Sequence, residues 1–420
     1  MHTNLSLVAI APLLIVVSAV LAGADSSLPC PGSPDADLWV LAGQSNMVGA
    51  GLITKKYKAD SSIMMLTMDN KWIRATPPIH RIYDEGAAPI FKKTIFRLNP
   101  AFTEEAYRNT AEASKKQPVG GMGPDWFFAK HIVKRTGRRV VLIPCAMGAT
   151  SMADWDPATK NQGGDSLYGN MMQRITLAGG KIKGILWYQG ESDAAPGTDK
   201  TFETTFLNLV DSIRRDTGIP DLPFIYVQIS RFCIGRKDLV SSWESVRETQ
   251  RTVAGKRKNL FVVPAIDLPL DDMIHIGTAG HERLGARMAE IALNAAYNRK
   301  DAATAIDFDS CELLPRVDEL HNTIRVRFKG VNGKLQSKGD PTGFSLRADK
   351  PHADDPCVFK VEFDPKDPAA VIIWYSAMIT KPTSLYYGAG LNPYVNIVDS
   401  KDMAIPAFGP IALPPITPTP

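Results

Sequence analysis

Four stretches of the chain carry hydroxyl, amide, carboxylate and imidazole groups, each following a short apolar run. Leu38–Ala42 leads into Gly43-Gln44-Ser45-Asn46-Met47, and Val140–Pro144 leads through Cys145 into Ala146-Met147-Gly148-Ala149-Thr150-Ser151. Ile182–Tyr188 leads into Gln189-Gly190-Glu191-Ser192-Asp193, and Phe261–Ile266 leads into a loop ending Asp271-Asp272-Met273-Ile274-His275. Together they offer a hydroxyl nucleophile, small-residue amides for an oxyanion, an amide side chain, and a base accompanied by an acid. Those are the parts of acyl transfer. Asp272, three residues before His275 in one loop, can reach one imidazole nitrogen and leave the other for Ser45. Glu191 is a second carboxylate open to the same role, but the short link from Asp272 to His275 gives one loop control of both groups, which favours Asp272 as the acid. Met47 stands two residues after Ser45 where a G-x-S-x-G elbow has glycine. His281-Glu282 opens like a zincin motif but lacks the second histidine, and no dinucleotide fingerprint or Walker loop is present. No metal and no cofactor are therefore expected.

The elements that must position these groups are legible as a pattern. The apolar runs, with Phe224–Ile229 as a fifth, are rich in Val, Ile and Leu on both parities, as in strands covered on both faces. Between them, Trp126–Thr136 closes on Gly137, and Asp199–Thr217 closes on Gly218 with Pro220 beyond, which are helix stop signals. A further helix is expected from Ser241, with Glu244 completing a capping box. The last, after Thr278, carries Leu284, Met288, Ile291 and Ala295 on one face. Alternating strands and helices predict an α/β fold, a parallel sheet with helices on both sides. Ligands in such a sheet sit beyond the carboxyl ends of the strands, where the four blocks fall. Thr54–Gly121 is read as a loop-rich insertion near the site. After Asp301 the period becomes two: Ile324, Val326 and Phe328 alternate with Arg325 and Arg327, and Val358–Phe363 and Val371–Tyr375 follow between turn residues. This predicts a small antiparallel β-sandwich.

The ordered set GQSNM, CAMGATS, WYQGESD and a late DxxH resembles the SGNH-hydrolase superfamily. Within it, the pattern resembles the carbohydrate-esterase and sialate O-acetylesterase branch, related to acetylxylan esterases. The resemblance spans Asp37–Asn298 and implies a flavodoxin-like three-layer fold. It also implies metal-independent removal of acetyl groups from sugars. Matched position by position, it makes Ser45 the nucleophile and His275 the base, with Asp272 or Glu191 as the acid. The Ser45 amide, Gly148 or Ala149, and the Gln189 side chain match the oxyanion hole. Many relatives have Gly-Gly where this chain has Gly148-Ala149, a change that matters if the second position needs positive φ. Asn46 is assigned to substrate contact or to holding its turn. Trp155 is assigned to stacking on a sugar face or to packing. The implied partner is an acetylated carbohydrate: xylan, sialic acid or a related glycan. A non-catalytic carbohydrate-binding protein and an esterase for other short acyl groups are the competing readings.

Composition agrees with a globular chain: 420 residues, 44% hydrophobic and 22% charged, with net charge +4 spread without a basic run. Nucleic acid is thus not an expected partner. Residues 1–24 contain no Lys, Arg, Asp or Glu and end in Ala22-Gly23-Ala24, a signal-peptidase pattern. Export to the periplasm or the extracellular space follows as an expectation, without stable membrane insertion after cleavage. The expected organisation is a signal peptide over 1–24, a linker over 25–36 and an esterase domain over 37–300. A β-sandwich over 301–411 and a Pro-rich tail over 412–420 complete it. Of five cysteines, Cys145 is expected in the core, and Cys311 and Cys357 are near enough in sequence to pair.

Overall fold

Seven strands form the central sheet, and their order explains where the four blocks meet. The structure is a computed structural model that describes residues 36–84, 86–315, 318, 320–347, 354–355, 358–376 and 384–413. The expected signal peptide, the tail from 414 and Cys357 lie outside the described residues, as does the pairing of Cys311 with Cys357. The strands are β1 (Ala36–Gly43), β2 (Ile63–Leu66), β3 (Trp72–Arg74), β4 (Arg139–Pro144), β5 (Ile182–Tyr188), β6 (Phe224–Gln228) and β7 (Leu260–Pro264). They lie in the order β3-β2-β4-β1-β5-β6-β7, parallel except for the β2–β3 hairpin at one edge. β1 is flanked by β4 and β5, so the chain reverses its direction of travel across the sheet there. The carboxyl end of β1 is the topological switch point, where an open α/β sheet leaves a crevice.

Helices α1 (Ser45–Val48), α2 (Pro89–Leu98), α3 (Glu104–Lys116), α4 (Asp125–Thr136), α5 (Leu167–Leu177), α6 (Thr198–Thr217), α7 (Val240–Val253) and α8 (Thr278–Tyr297) connect the strands. α4 packs on α8 and α6 on α7. Gly137 and Gly218 end α4 and α6 in the left-handed conformation, as their positions in the sequence require. The strands β1, β4, β5 and β6 are almost wholly buried, which is why their apolar runs do not alternate. Cys145 is buried beyond β4, and burial pushes its thiol up to about 11. Among the described residues Cys145, Cys233 and Cys311 are free thiols, and no helix is long and apolar enough to cross a membrane.

Two expectations require correction. Thr54–Gly121 is not mainly loop: it supplies the edge hairpin β2–β3 and helices α2 and α3. α7 starts at Val240 after a single 3-10 turn, and no side chain caps it. Glu244 does not close a capping box. Its carboxylate pairs with Arg347, 2.7 and 2.8 Å away, and accepts the Gly390 amide, so a distant partner replaces the local one.

Beyond α8 the chain forms strands β8 (Asp307–Leu313), β9 (His321–Lys329), β10 (Leu335–Ser337), β11 (Phe344–Arg347), β12 (Asp354–Asp355), β13 (Val358–Phe363), β14 (Ala370–Ser376), β15 (Ser384–Tyr387), β16 (Ile397–Asp399) and β17 (Phe408–Ala412). They make two four-stranded antiparallel sheets, β13-β14-β9-β8 and β12-β11-β15-β17, with β10 and β16 paired separately. Ile324, Val326, Phe328, Val371 and Ile373 are buried, while Arg325 and Arg327 face outward, as the period-two pattern demands.

Candidate active site

The backbone at the end of β1 presents Ser45 by a turn that only glycine permits. Gly43 has φ +123°, and a Cβ there would stand 2.1 Å from the Tyr188 carbonyl oxygen of β5. The Gln44 amide then donates to that carbonyl at 2.7 Å, and α1 begins at Ser45. Ser45 is partly exposed. Its hydroxyl lies 3.0 Å from His275 Nε2, and His275 Nδ1 lies 2.6 Å from Asp272 Oδ2. The other Asp272 oxygen accepts the Ile274 and His275 amides at 2.8 and 2.7 Å, so the carboxylate is oriented by its own loop. Partial burial acts to raise the Asp272 carboxyl, but these amides and the imidazole outweigh it and hold the group below its ordinary value. A hydroxyl, an imidazole and an oriented carboxylate in line form a relay in which the imidazole can take the serine proton and the carboxylate can stabilise the resulting cation.

Glu191 occupies a different place from Asp272. Its Oε1 accepts a 2.8 Å hydrogen bond from Asn46 Nδ2, and its Oε2 is sealed from solvent with no partner among the described residues. Burial raises the Glu191 carboxyl, against the lowering effects of the Asn46 bond and the nearby His275. Asn46 is fully buried and has no surface to offer a substrate, which corrects the contact assigned to it. Its Nδ2 also donates to the Ile274 carbonyl at 3.3 Å, and its Oδ1 accepts the Ile276 amide at 3.0 Å. One side chain thus grips the peptide on both sides of His275. The adjacent Ser-Asn pair in the first block was the available signal for this function.

The second and third blocks meet beside Ser45. A Cβ on Gly148 would lie 3.7 Å from the Ser45 Cβ, so Gly148 abuts the nucleophile, while Ala149 is exposed. The Ser45 and Gly148 amides have no acceptor among the described residues. Gln189 does not present a free donor. It is fully buried, and its Nε2 donates to the Thr150 carbonyl at 3.2 Å and to Asp193 Oδ2, which leaves neither amide hydrogen for an oxyanion. Asp193 also accepts the Met152 amide at 2.9 Å, tying the second block to the third; sequence reasoning gave it no such role. Trp155 is likewise no stacking platform: it is fully buried, packs edge-on against Trp187 at 5.1 Å, and donates to Thr150 Oγ1 at 3.1 Å.

Ala149 has φ +54°, so the substitution of alanine for glycine falls where it costs strain. Ala149→Gly is expected to raise stability by about 1 kcal/mol without loss of activity. Chemical denaturation checks this, and a destabilised variant would show that the loop does not need the left-handed conformation.

His281, discarded as a metal ligand, lies buried in the first turn of α8 with no partner on either ring nitrogen among the described residues. Burial, with His275 nearby, pushes its imidazole down to about 3. Unfolded, it titrates at about 6.5, so between these values the unfolded chain binds the extra proton. Stability therefore falls as pH falls through that window, by about 1.4 kcal/mol per unit. His281→Leu is expected to flatten the decline in unfolding free energy below pH ~6.5; an unchanged slope would contradict the assignment. No group of three or more His, Cys, Asp or Glu residues arranged to hold a metal ion occurs among the described residues.

A flavodoxin-like sheet with this Ser-His-Asp arrangement on its carboxyl edge defines an SGNH-type hydrolase. The chain belongs to the carbohydrate esterase, sialic acid-specific acetylesterase family, whose profile matches residues 35–294. It is 29% identical over 284 residues to a probable carbohydrate esterase of Arabidopsis thaliana, covering 62% of this chain and 92% of that one. The solved structure of a carbohydrate acetylesterase from Xanthomonas citri superposes with a TM-score of 0.64 at 20% identity, covering 89% of this chain and 80% of that one. That likeness shows a shared fold.

Proposed function

We propose that this protein is an exported serine esterase that removes O-acetyl groups from carbohydrate through an acyl-enzyme on Ser45. Family membership supports an esterase acting on acetyl groups. The observation that carries the mechanism is the Ser45-His275-Asp272 relay, with its 3.0 and 2.6 Å links. Ser45 Oγ attacks the acetyl carbonyl while His275 Nε2 takes its proton, and the Ser45 and Gly148 amides receive the charge on the carbonyl oxygen. Protonated His275 then returns the proton to the sugar oxygen as the C–O bond breaks. Water, deprotonated by His275, attacks the acetyl-serine, releasing acetate and restoring the serine hydroxyl. Asp272 fixes the tautomer and stabilises the imidazolium, and Asn46 with Glu191 holds the histidine loop in place. The Asp272 geometry favours it over Glu191 as the acid.

Acetate release from a panel of acetylated xylan, sialosides and related glycans tests the substrate class. Turnover of at least one of them is expected, and it is expected to survive EDTA because serine and histidine supply the nucleophile. Binding of glycans without acetate release would favour the carbohydrate-binding alternative. A preference for longer acyl chains on simple esters would favour the other. Loss of activity restored by zinc would contradict the metal-independent mechanism.

A further inference from the structure

The loop that carries Asp272 and His275 is gripped on two flanks, and one grip leads outside the family-matched residues. On the first flank stands Asn46, with the Leu52 amide donating to Asp271 at 3.1 Å. On the second, the Cys233 amide donates to the Met273 carbonyl at 2.7 Å, and Met273 lies between Asp272 and His275. Cys233 belongs to the segment after β6. The preceding amide, Phe232, points the other way and donates to the Leu391 carbonyl at 2.8 Å. The two adjacent amides thus bond to different segments, so one peptide link joins the catalytic loop to a turn of the C-terminal region.

That turn, Gly390–Asn392, is itself held firmly. Arg247 on α7 is buried and donates to the Gly390, Leu391 and Ser230 carbonyls. Glu244 accepts the Gly390 amide at 2.6 Å, and Arg231 donates to Asn392 Oδ1 at 3.0 Å and to the Leu268 carbonyl at 3.2 Å. Leu268 lies at the base of the catalytic loop, so Arg231 makes a second link from Asn392 to it. The Phe232 ring stacks on Trp243 at 5.1 Å, and the Arg247 guanidinium sits 5.3 Å over the same indole.

We propose that Gly390–Asn392 is a brace for the catalytic loop, which makes Asn392 and Arg247 positioning residues for His275. The brace acts through Arg231, Phe232 and Cys233. Its kinetic consequence rests on the esterase reading above; its structural consequence does not. A shift of about 1 Å in a catalytic group costs on the order of 10²-fold in rate, so a loosened loop is read in kcat before KM.

The test uses the full chain with Arg247→Lys, which replaces the two donor nitrogens of the guanidinium fork by one, and Asn392→Ala, which removes only the acceptor for Arg231. Should Arg247→Lys prevent folding, Asn392→Ala carries the test. Asn392→Ala is expected to leave the thermal midpoint unchanged and lower kcat about tenfold at constant KM. Asn392→Asp, which keeps the acceptor, should restore the rate. A second readout needs no turnover: the downfield proton resonance of the His275–Asp272 hydrogen bond should broaden or shift in Asn392→Ala and recover in Asn392→Asp. Wild-type kcat and an unmoved resonance in Asn392→Ala would overturn the brace, as would a loss that Asn392→Asp fails to rescue. An inactive wild-type protein whose resonance still responds to Asn392 would overturn the esterase reading and leave the brace standing.

Discussion

Ser45→Ala is expected to lower kcat for acetyl-ester hydrolysis by about 10⁴-fold or more, with the thermal midpoint unchanged. The Ser45 hydroxyl meets His275 Nε2 at 3.0 Å, so its loss removes the nucleophile and leaves the packing around it intact. His275→Ala should cost at least ~10³ on its own, because no other imidazole among the described residues stands beside the serine with a carboxylate behind it. The double variant should be little worse than either single one, since the two groups act as a unit. Activity within tenfold of wild type in Ser45→Ala would remove the nucleophile from the account. Additive losses would mean that Ser45 and His275 do not share a step.

The second large effect separates the two carboxylates. Asp272→Asn retains an oxygen for the Ile274 and His275 amides but turns an NH₂ toward His275 Nδ1. Two donors cannot face each other, so the imidazole proton moves to Nε2, where it can no longer accept from Ser45. A fall in kcat of ~10⁴ is expected from this wrong tautomer. Glu191→Gln keeps an acceptor for Asn46 and should stay within about tenfold, because Glu191 hydrogen-bonds Asn46, which grips the loop, and not the His275 ring. Steady-state kinetics of both variants decide the matter, and a larger loss in Glu191→Gln would reverse the assignment.

The strands that build the crevice were legible because burial on both faces leaves an uninterrupted apolar run, as in Ile182–Tyr188. The helices α4 and α6 were legible from their closing glycines. The hairpin β2–β3 was not: Ile63–Leu66 is only four residues long, and its partner strand is partly exposed. α3 escaped for a different reason. Its charged sequence buries only Ser114, so no apolar stripe marks it. At the site, position was readable but orientation was not. Gln189 and Trp155 stand in the right blocks, yet Asp193 and Thr150 turn them inward, and those partners are set by tertiary packing. Asn46 shows the converse, since adjacency to the nucleophile marked it while its grip on the His275 loop, some 230 residues away, needed the fold. Glu244 reads as a local cap in the sequence because Arg347 is 103 residues distant.

Ser45, activated by His275, is the residue on which the proposed covalent intermediate forms. Treatment with a fluorophosphonate, followed by peptide mass spectrometry, tests this assignment most directly. One stoichiometric adduct is expected on Ser45, slowed by an acetylated substrate and absent in His275→Ala. A stoichiometric adduct on any other residue, or none in a preparation that hydrolyses acetyl esters, would contradict it.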